Sequence, residues 1–153
     1  MRSFHCAVLL GAFALLTSPV NAAPDNSNPT HVVQALYHNA TIHFGFDPDI
    51  VKSAKPWLTP GLYARLWKKA NEPVPKGDAP DIEGDVFMNA QDVPYSFKVG
   101  DPSIHDTKAT VGVTLAYSSE KRHYTVLLDK IDGAWKVSDV DYGQDGKLTD
   151  LLK

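Results

Sequence analysis

Three polar side chains, Asp85, Gln91 and Asp92, are the strongest candidates for chemistry in this sequence. They surround the apolar residues 86–88, between a long loop and a region predicted to form a sheet. A carboxyl group in apolar surroundings has a raised pKa and can act as a general base near neutral pH. The alternative is that Asp85 and Asp92 cap turns and accept backbone N–H bonds, the commoner role of a loop aspartate.

Aromatic side chains offer a second kind of site. Trp57, Tyr63 and Trp67 are suited to a ligand pocket or a partner surface, because Trp and Tyr combine large apolar area with a polar group. The alternative is that they belong to the core between helix and sheet. Lys68, next to Trp67, indicates a boundary with solvent. The residues expected to contact a ligand or partner are Trp57, Tyr63, Trp67, Gln91 and Asp92.

Metal and cofactor chemistry has little support in the sequence. His31 and His38 are seven residues apart, and His43 lies five further on, whereas a helical zinc pair needs a spacing of four. Residues 139–146 resemble the first part of a calcium-binding loop. Counted from Asp141, however, the twelfth position is Leu152, where such a loop needs a bidentate Glu. No Gly-x-Ser-x-Gly motif is present. We therefore expect neither a metal site nor a cofactor.

The first 22 residues have the pattern of a secretory signal peptide. Arg2 provides a positive start, residues 7–16 form an apolar run, and residues 20–22 end in the small side chain of Ala22. The run is too short to span a bilayer, which takes about 20 residues. We expect cleavage after Ala22, a periplasmic or secreted location, and no integral membrane segment.

Composition limits the remaining protein to one ordinary domain. The only cysteine, Cys6, leaves with residues 1–22, so neither a disulfide nor a thiol hydrolase is expected. The net charge of the full chain is −3, and its basic pairs do not form a stripe of the kind that binds nucleic acid. We expect a flexible arm at 23–29 and a single domain at 30–153.

Helical signals dominate the first half of the domain. Thr30 is a plausible N-cap for a helix over about 31–44, and Asp49 for a short second helix. Thr59, followed by a proline at the first helical position, predicts a third helix that ends near Asn71. The stretch 72–84 is rich in Pro, Gly and Asp and predicts a long loop.

The second half alternates with the period of β-strands. Turn signals separate the alternating segments, at 100–102 among other places, and Asp132-Gly133 predicts a type I′ hairpin turn. A short amphipathic helix is expected at the C-terminus. Helices followed by an antiparallel meander predict an α+β domain of about four strands. The predicted strands are 95–99, 110–117, 124–128 and 134–140.

The hairpin at residues 127–140, with Trp135 after its turn, resembles the closing hairpin of the nuclear-transport-factor-2-like (cystatin-like) superfamily. A closer resemblance is to the secreted bacterial family called domain of unknown function 3828. It rests on Tyr37 in an early helix, the stretch 85–92, the Trp135 hairpin and the final 146–152. The resemblance covers about residues 30–152. It implies helices packed in the concavity of a curved antiparallel sheet, as a cone with a pocket.

The same resemblance implies a fold more than a function, because the superfamily includes enzymes, binding modules and scaffolds. Its ketosteroid-isomerase-like members combine a carboxylate with a hydroxyl-bearing oxyanion hole. In this chain the hydroxyl would come from Tyr37, Tyr63 or Tyr142, and the resulting catalytic candidates are Asp85, Asp92 and Tyr37. Some periplasmic members resemble immunity proteins against secreted toxins.

The leading hypothesis is a non-catalytic binding module for a protein partner or a small ligand. An immunity-type inhibitor of a secreted effector is its most specific form. One alternative is a small pocket enzyme, an isomerase or a hydrolase, that uses Asp85 or Asp92 as a general base. Another is a homodimeric envelope scaffold that associates through the open sheet face around residues 135–140.

Overall fold

A computed structural model describes residues 24–153, so the expected signal peptide and its cleavage site lie outside the described residues. Within these described residues, three α-helices with a 3-10 turn at Lys55–Trp57 are followed by four β-strands. The chain ends in 3-10 turns at Gly143–Asp145 and Leu148–Asp150. The helices are α1 (Pro29–Ile42), α2 (Pro48–Ala54) and α3 (Pro60–Ala70), and the strands are β1 (Ser96–His105), β2 (Lys108–Ala116), β3 (Lys121–Ile131) and β4 (Ala134–Asp141).

All three helices begin in the same way, with a polar N-cap followed by proline. The caps are Asn28, Asp47 and Thr59, and each side chain accepts a backbone N–H within 3.2 Å. Proline suits the first helical position because its missing N–H would have no partner there. The start at Thr59 confirms the prediction. The predicted caps Thr30 and Asp49 are wrong, since each lies two residues inside its helix.

The four strands form one antiparallel sheet in the order β1-β2-β3-β4. Helix α1 packs across the sheet, and α2 and α3 pack on each other beside it. This arrangement confirms the predicted α+β class. The Asp132-Gly133 turn is also confirmed, because both residues have positive φ, +50° and +81°, as a type I′ turn requires.

The predicted turn at 100–102 is wrong, because these residues lie inside β1. The pairing of β1 with β2 shifts register between Val99 and Pro102, so the strand bulges there and continues. In the sheet formed by residues 24–153, β1 lies at the edge and pairs with β2 alone, so the proline needs no ladder partner on its outer side. The turn between β1 and β2 is at Asp106, with φ of +53°.

The core lies between the helices and one face of the sheet. Each strand contributes alternate side chains to it, as the burial patterns of β2 and β3 make plain. Leu148, in the last 3-10 turn, is fully buried and closes one end, where a short helix was predicted. None of the helices within residues 24–153 has the length and apolar character needed to cross a membrane.

The residues before α1, expected as an arm, are in contact with the domain. Asn26 is buried, and its amide Nδ2 donates to the carbonyl oxygen of Pro56 over 2.9 Å. The backbone N–H of Trp135 donates to the carbonyl oxygen of Asn26 over 2.8 Å. This segment therefore joins the turn before α3 to the start of β4.

Candidate functional site

Asp85 begins a tight loop that caps one end of the core. Its Oδ1 accepts the backbone N–H groups of Phe87 and Met88 at 2.8 and 2.9 Å. The backbones of Asp85 and Ala90 also pair with each other and close the loop. Gly84 precedes the loop with a φ of +93°, and a Cβ there would lie 2.2 Å from the Ala90 carbonyl oxygen. Only glycine fits this approach.

The Asp85 side chain is almost completely removed from solvent, with 2% of the residue exposed. Burial raises the pKa of Asp85 to about 7, against the partial opposition of its backbone N–H bonds. Its second oxygen, Oδ2, makes no hydrogen bond of good geometry in the described structure, although the Gly45 N–H also faces the carboxyl group. The carboxyl group is therefore held neutral over much of the acidic range.

Two tyrosines hold the same loop from the core side. The hydroxyl of Tyr37, on α1, donates to the carbonyl oxygen of Phe87 over 2.9 Å. The hydroxyl of Tyr142, just after β4, donates to the carbonyl oxygen of Val86. Both tyrosines are buried. Their hydroxyl protons are thus used to position backbone, so neither is free to donate to a substrate in this conformation.

Two further tyrosines add polar atoms to this buried region. The hydroxyl groups of Tyr117 and Tyr124 are buried without a hydrogen-bond partner in the described structure. The Tyr124 hydroxyl lies near the Arg122 guanidinium, but not with hydrogen-bond geometry. Tyr124 also packs edge-on against Tyr142, with ring centroids 5.1 Å apart. The four tyrosines and Asp85 are here called the tyrosine cluster; Tyr37, Tyr124, Tyr142 and Asp85 are buried, and Tyr117 is half-buried at the edge of the core.

Outside the loop lies a polar depression, here called the Arg122 cleft. It consists of two hollows of about 410 and 430 Å³ that share Ala90, Gln91, Asp92 and Arg122 as walls. Tyr95 stands on its rim with 81% of its surface exposed. The guanidinium of Arg122 is already engaged, since it pairs with Glu120 and donates to the carbonyl oxygen of Asn89.

A second surface consists of Tyr63, Trp67 and Lys68 on α3 together with Lys55 in the preceding 3-10 turn. It is here called the α3 face. Tyr63 and Trp67 are one helical turn apart and stack with ring centroids 6.0 Å apart. The Lys55 ammonium lies 5.0 Å from the Tyr63 ring centroid, within range of a cation–π interaction. Trp67 remains 38% exposed.

The candidate residues from the sequence therefore fall into three places. Asp85 and Tyr37 lie in the buried tyrosine cluster, and Asp85 also borders one hollow of the Arg122 cleft, which Gln91 and the exposed Asp92 line as well. Tyr63 and Trp67 form the α3 face. Trp57 is half-buried against the core, with its indole N–H enclosed and without a partner in the described structure.

The residues that the sequence did not single out include Lys55, Tyr95 and Arg122. Lys55 could have been selected from the sequence, because residues 50–71 contain no acidic side chain. The same segment carries five basic ones, in a chain whose net charge is negative. These are Lys52, Lys55, Arg65, Lys68 and Lys69. Tyr95 and Arg122 had no comparable signal, because their environment depends on the meeting of the 85–95 segment with the β2–β3 turn.

Metal-binding geometry does not appear among residues 24–153, where no three His, Cys, Asp or Glu side chains come together. His31 pairs with Asp25 at 3.1 Å, and His123 contacts Thr114 across neighbouring strands at 3.0 Å. These histidines therefore have ordinary surface partners.

Comparison of the chain with protein-family models, with curated proteins and with solved structures gives no match.

Proposed function

We propose that this chain is a non-catalytic binding domain that engages a protein partner through the α3 face. The observation that carries the proposal is the exposed Trp67 ring stacked on the half-buried Tyr63, with Lys55 beside them, within a segment that has basic but no acidic side chains. Such aromatic pairs are typical of the energetic centres of protein interfaces. We also propose export of the chain through residues 1–22, so that the partner would be met in the periplasm or outside the cell.

The placement of Asp85 supports a non-catalytic role. A general base must come within hydrogen-bond reach of the proton that it removes. Asp85 is 2% exposed, and one of its oxygens is occupied by two backbone N–H groups. Asp85 therefore acts in this conformation as the organiser of its loop.

The charge of the α3 face indicates the chemistry of the partner. Lys55 and Lys68 of this face are exposed, as is Lys52 on α2, whereas Lys69 is neutralised by Glu72 and Asp81. A complementary partner surface would be acidic, which speeds encounter and disfavours wrong partners. Tyr63 and Trp67 are half-covered and do not project as an apolar wedge, so a flat protein surface suits them better than insertion into a bilayer.

Affinity capture tests this proposal. The chain from residue 23 onward, tagged at its C-terminus, is used as bait in envelope and secreted extracts of the organism that makes it. We expect one stoichiometric protein partner, with affinity reduced about 30-fold by Trp67→Ser, because a buried aromatic anchor contributes about 2 kcal/mol. Lys55→Gln should weaken capture more at low salt than at high salt.

Ile42→Ser is the matched control, since Ile42 is 61% exposed at the end of α1. It should leave capture unchanged. A partner that the Trp67→Ser chain retains as well as the wild type would place the interface elsewhere. Capture of only a lipid, a nucleic acid or nothing would count against a protein-binding domain.

A second candidate function is the small pocket enzyme, which the raised pKa of Asp85 and the neighbouring hydroxyl groups favour. It requires that the loop open to admit a substrate, and the implied relationship to the cystatin-like superfamily would make this region its pocket. Carbon-13 NMR of the Asp85 carboxyl group during titration with small carbonyl compounds tests it. A saturable shift would support the enzyme, and an unmoved resonance would exclude it for those compounds.

The homodimeric scaffold is the third candidate, and the sheet gives it little support. The inward residues of β4, Trp135 and Val137 among them, are buried in the core. The side chains that alternate with them are polar, Lys136 and Ser138. A stable dimer interface usually has an apolar centre, which this part of the sheet does not offer.

A further inference from the structure

We propose that residues 84–92 form a proton-controlled latch: a protonated Asp85 keeps the loop closed over the tyrosine cluster, and ionisation of Asp85 favours its opening. The latch involves the equilibrium between the closed and the open states of this loop. It is independent of the proposed binding function, which uses the α3 face.

The geometry around Asp85 is the basis of the latch. Within residues 24–153, no basic side chain forms an ion pair with its carboxylate. Oδ1 is stabilised by two N–H groups of its own loop, whereas Oδ2 is buried without a hydrogen bond of good geometry. A charge in that position loses most of its hydration and gains no counter-ion, so ionisation favours any state that returns it to water.

The ionisable groups around the carboxyl group do not offset this effect. Tyr37 from α1, Tyr117 after β2 and Tyr142 after β4 all interact with Asp85, and burial raises the pKa of each. They therefore stay neutral between pH 5 and 8. On β3, Tyr124 is also neutral because burial raises its pKa, and Arg122 is engaged by Glu120 and by the Asn89 carbonyl oxygen.

The direction of the pH effect follows from linkage. In the closed state the pKa of Asp85 is raised to about 7, and in an open, hydrated state it returns towards 3.8. Between these values the closed loop holds a proton that the open loop releases, so opening becomes easier as pH rises. Above about pH 7 both states are ionised and the equilibrium levels off. The stabilisation of the closed loop by the proton is therefore complete below about pH 4, falls as pH rises towards 7, and is lost above about pH 7.

Opening would change the surface beyond the loop. The loop carries Ala90, Gln91 and Asp92, which form the shared walls of the Arg122 cleft. The bond from Arg122 to the Asn89 carbonyl oxygen, 3.0 Å long, would break with it. Asn89 itself has a positive φ of +43°, so the closed loop holds a conformation that a free chain would leave. The cleft would thus exist in full only while the loop is closed, a state that protonation of Asp85 favours.

Amide hydrogen exchange measured by NMR tests the latch on the wild-type chain. The reporters are the amides of Phe87 and Met88, which bond to Asp85 Oδ1. After correction for intrinsic exchange, we expect their opening constant to rise about 50-fold from pH 5 to pH 7 and only about twofold from pH 7 to pH 8. Amides of Val111 and Val126, in the centre of the sheet, should not change in this way.

The Asp85→Asn variant tests whether ionisation of Asp85 causes the pH dependence of loop opening. Its amide oxygen can still accept both N–H bonds, but the group does not ionise. In this variant the opening constant of the loop should be independent of pH. A wild-type loop whose corrected opening constant does not change between pH 5 and pH 7 would overturn the proposal. If the variant does not fold, titration of the wild-type Asp85 carboxyl carbon decides: an apparent pKa near 4 overturns the latch, and one near 7 supports it.

Discussion

Replacing Gly84 with alanine should lower the free energy of unfolding by at least about 3 kcal/mol. The new Cβ would meet the Ala90 carbonyl oxygen at 2.2 Å, and the residue would also have to hold a φ of +93°. The contact is with backbone, which cannot move without breaking the pairing of Asp85 with Ala90. Urea denaturation, followed by circular dichroism, measures the change.

Gly77→Ala is the matched control for this substitution. Gly77 also has a positive φ, +99°, but within residues 24–153 no heavy atom beyond its two chain neighbours lies within 4 Å of the position that a Cβ would occupy. Its replacement should therefore cost only the strain of the backbone conformation, about 1 kcal/mol. Equal effects of the two substitutions would mean that the 85–90 loop does not close against Gly84 as described.

Replacing Leu66 with alanine should destabilise the chain by about 3 kcal/mol, through lost apolar burial and the cavity left behind. Leu66 is fully buried on the inner side of α3, whereas Trp67, the next residue, lies on the outer side. Trp67→Ala should cost only about 1 kcal/mol, mostly from its stack with Tyr63. The same denaturation measurement applies to both variants.

This pair of variants tests the orientation of α3. The α3 face depends on Trp67 pointing outward with Tyr63 half-buried beneath it, and that orientation follows from Leu62 and Leu66 pointing inward. A larger loss of stability from Trp67→Ala than from Leu66→Ala would mean that the tryptophan belongs to the core. The aromatic pair would then be unavailable to a partner.

The starts of the helices could be predicted from the sequence by one rule, a polar N-cap followed by proline, and the predictions were right where that rule was used. A polar cap followed by proline located α3 at Thr59 correctly. The same pattern occurs at Asn28 and Asp47, where α1 and α2 begin. The predictions there chose Thr30 and Asp49, good cap residues that lie inside the first turn. The proline was the stronger signal, because it fits the first helical position and disfavours helix in the residue before it.

Strand boundaries were harder, because turn signals do not reveal whether a strand lies at the edge of a sheet. Gly100 and Pro102 would end a central strand, but β1 is an edge strand and accommodates them as a bulge. The Asp132-Gly133 turn was predictable, since its two positive φ values follow from local residue preference.

The sequence indicated which residues would belong to the candidate site better than it indicated what those residues do. Sequence reasoning selected Asp85 and left two roles open, a general base with a raised pKa and a turn cap that accepts backbone N–H bonds; in the structure Asp85 makes the bonds of the second role. Its burial and its bonds to the Phe87 and Met88 N–H groups depend on Tyr37 and Tyr142, which approach from distant parts of the chain. The pairing of Lys55 with the Tyr63 ring likewise depends on how the 3-10 turn meets α3.

Site-specific photo-crosslinking in living cells tests directly whether the α3 face binds a protein partner. A photoreactive phenylalanine analogue is placed at Trp67 in one strain and at Ile42, on α1, in another. We expect a single protein adduct of defined mass from position 67. Its yield should fall in the Lys55→Gln background, and no adduct should form from position 42. Adducts from both positions alike, or from neither, would contradict a partner-binding role for the α3 face.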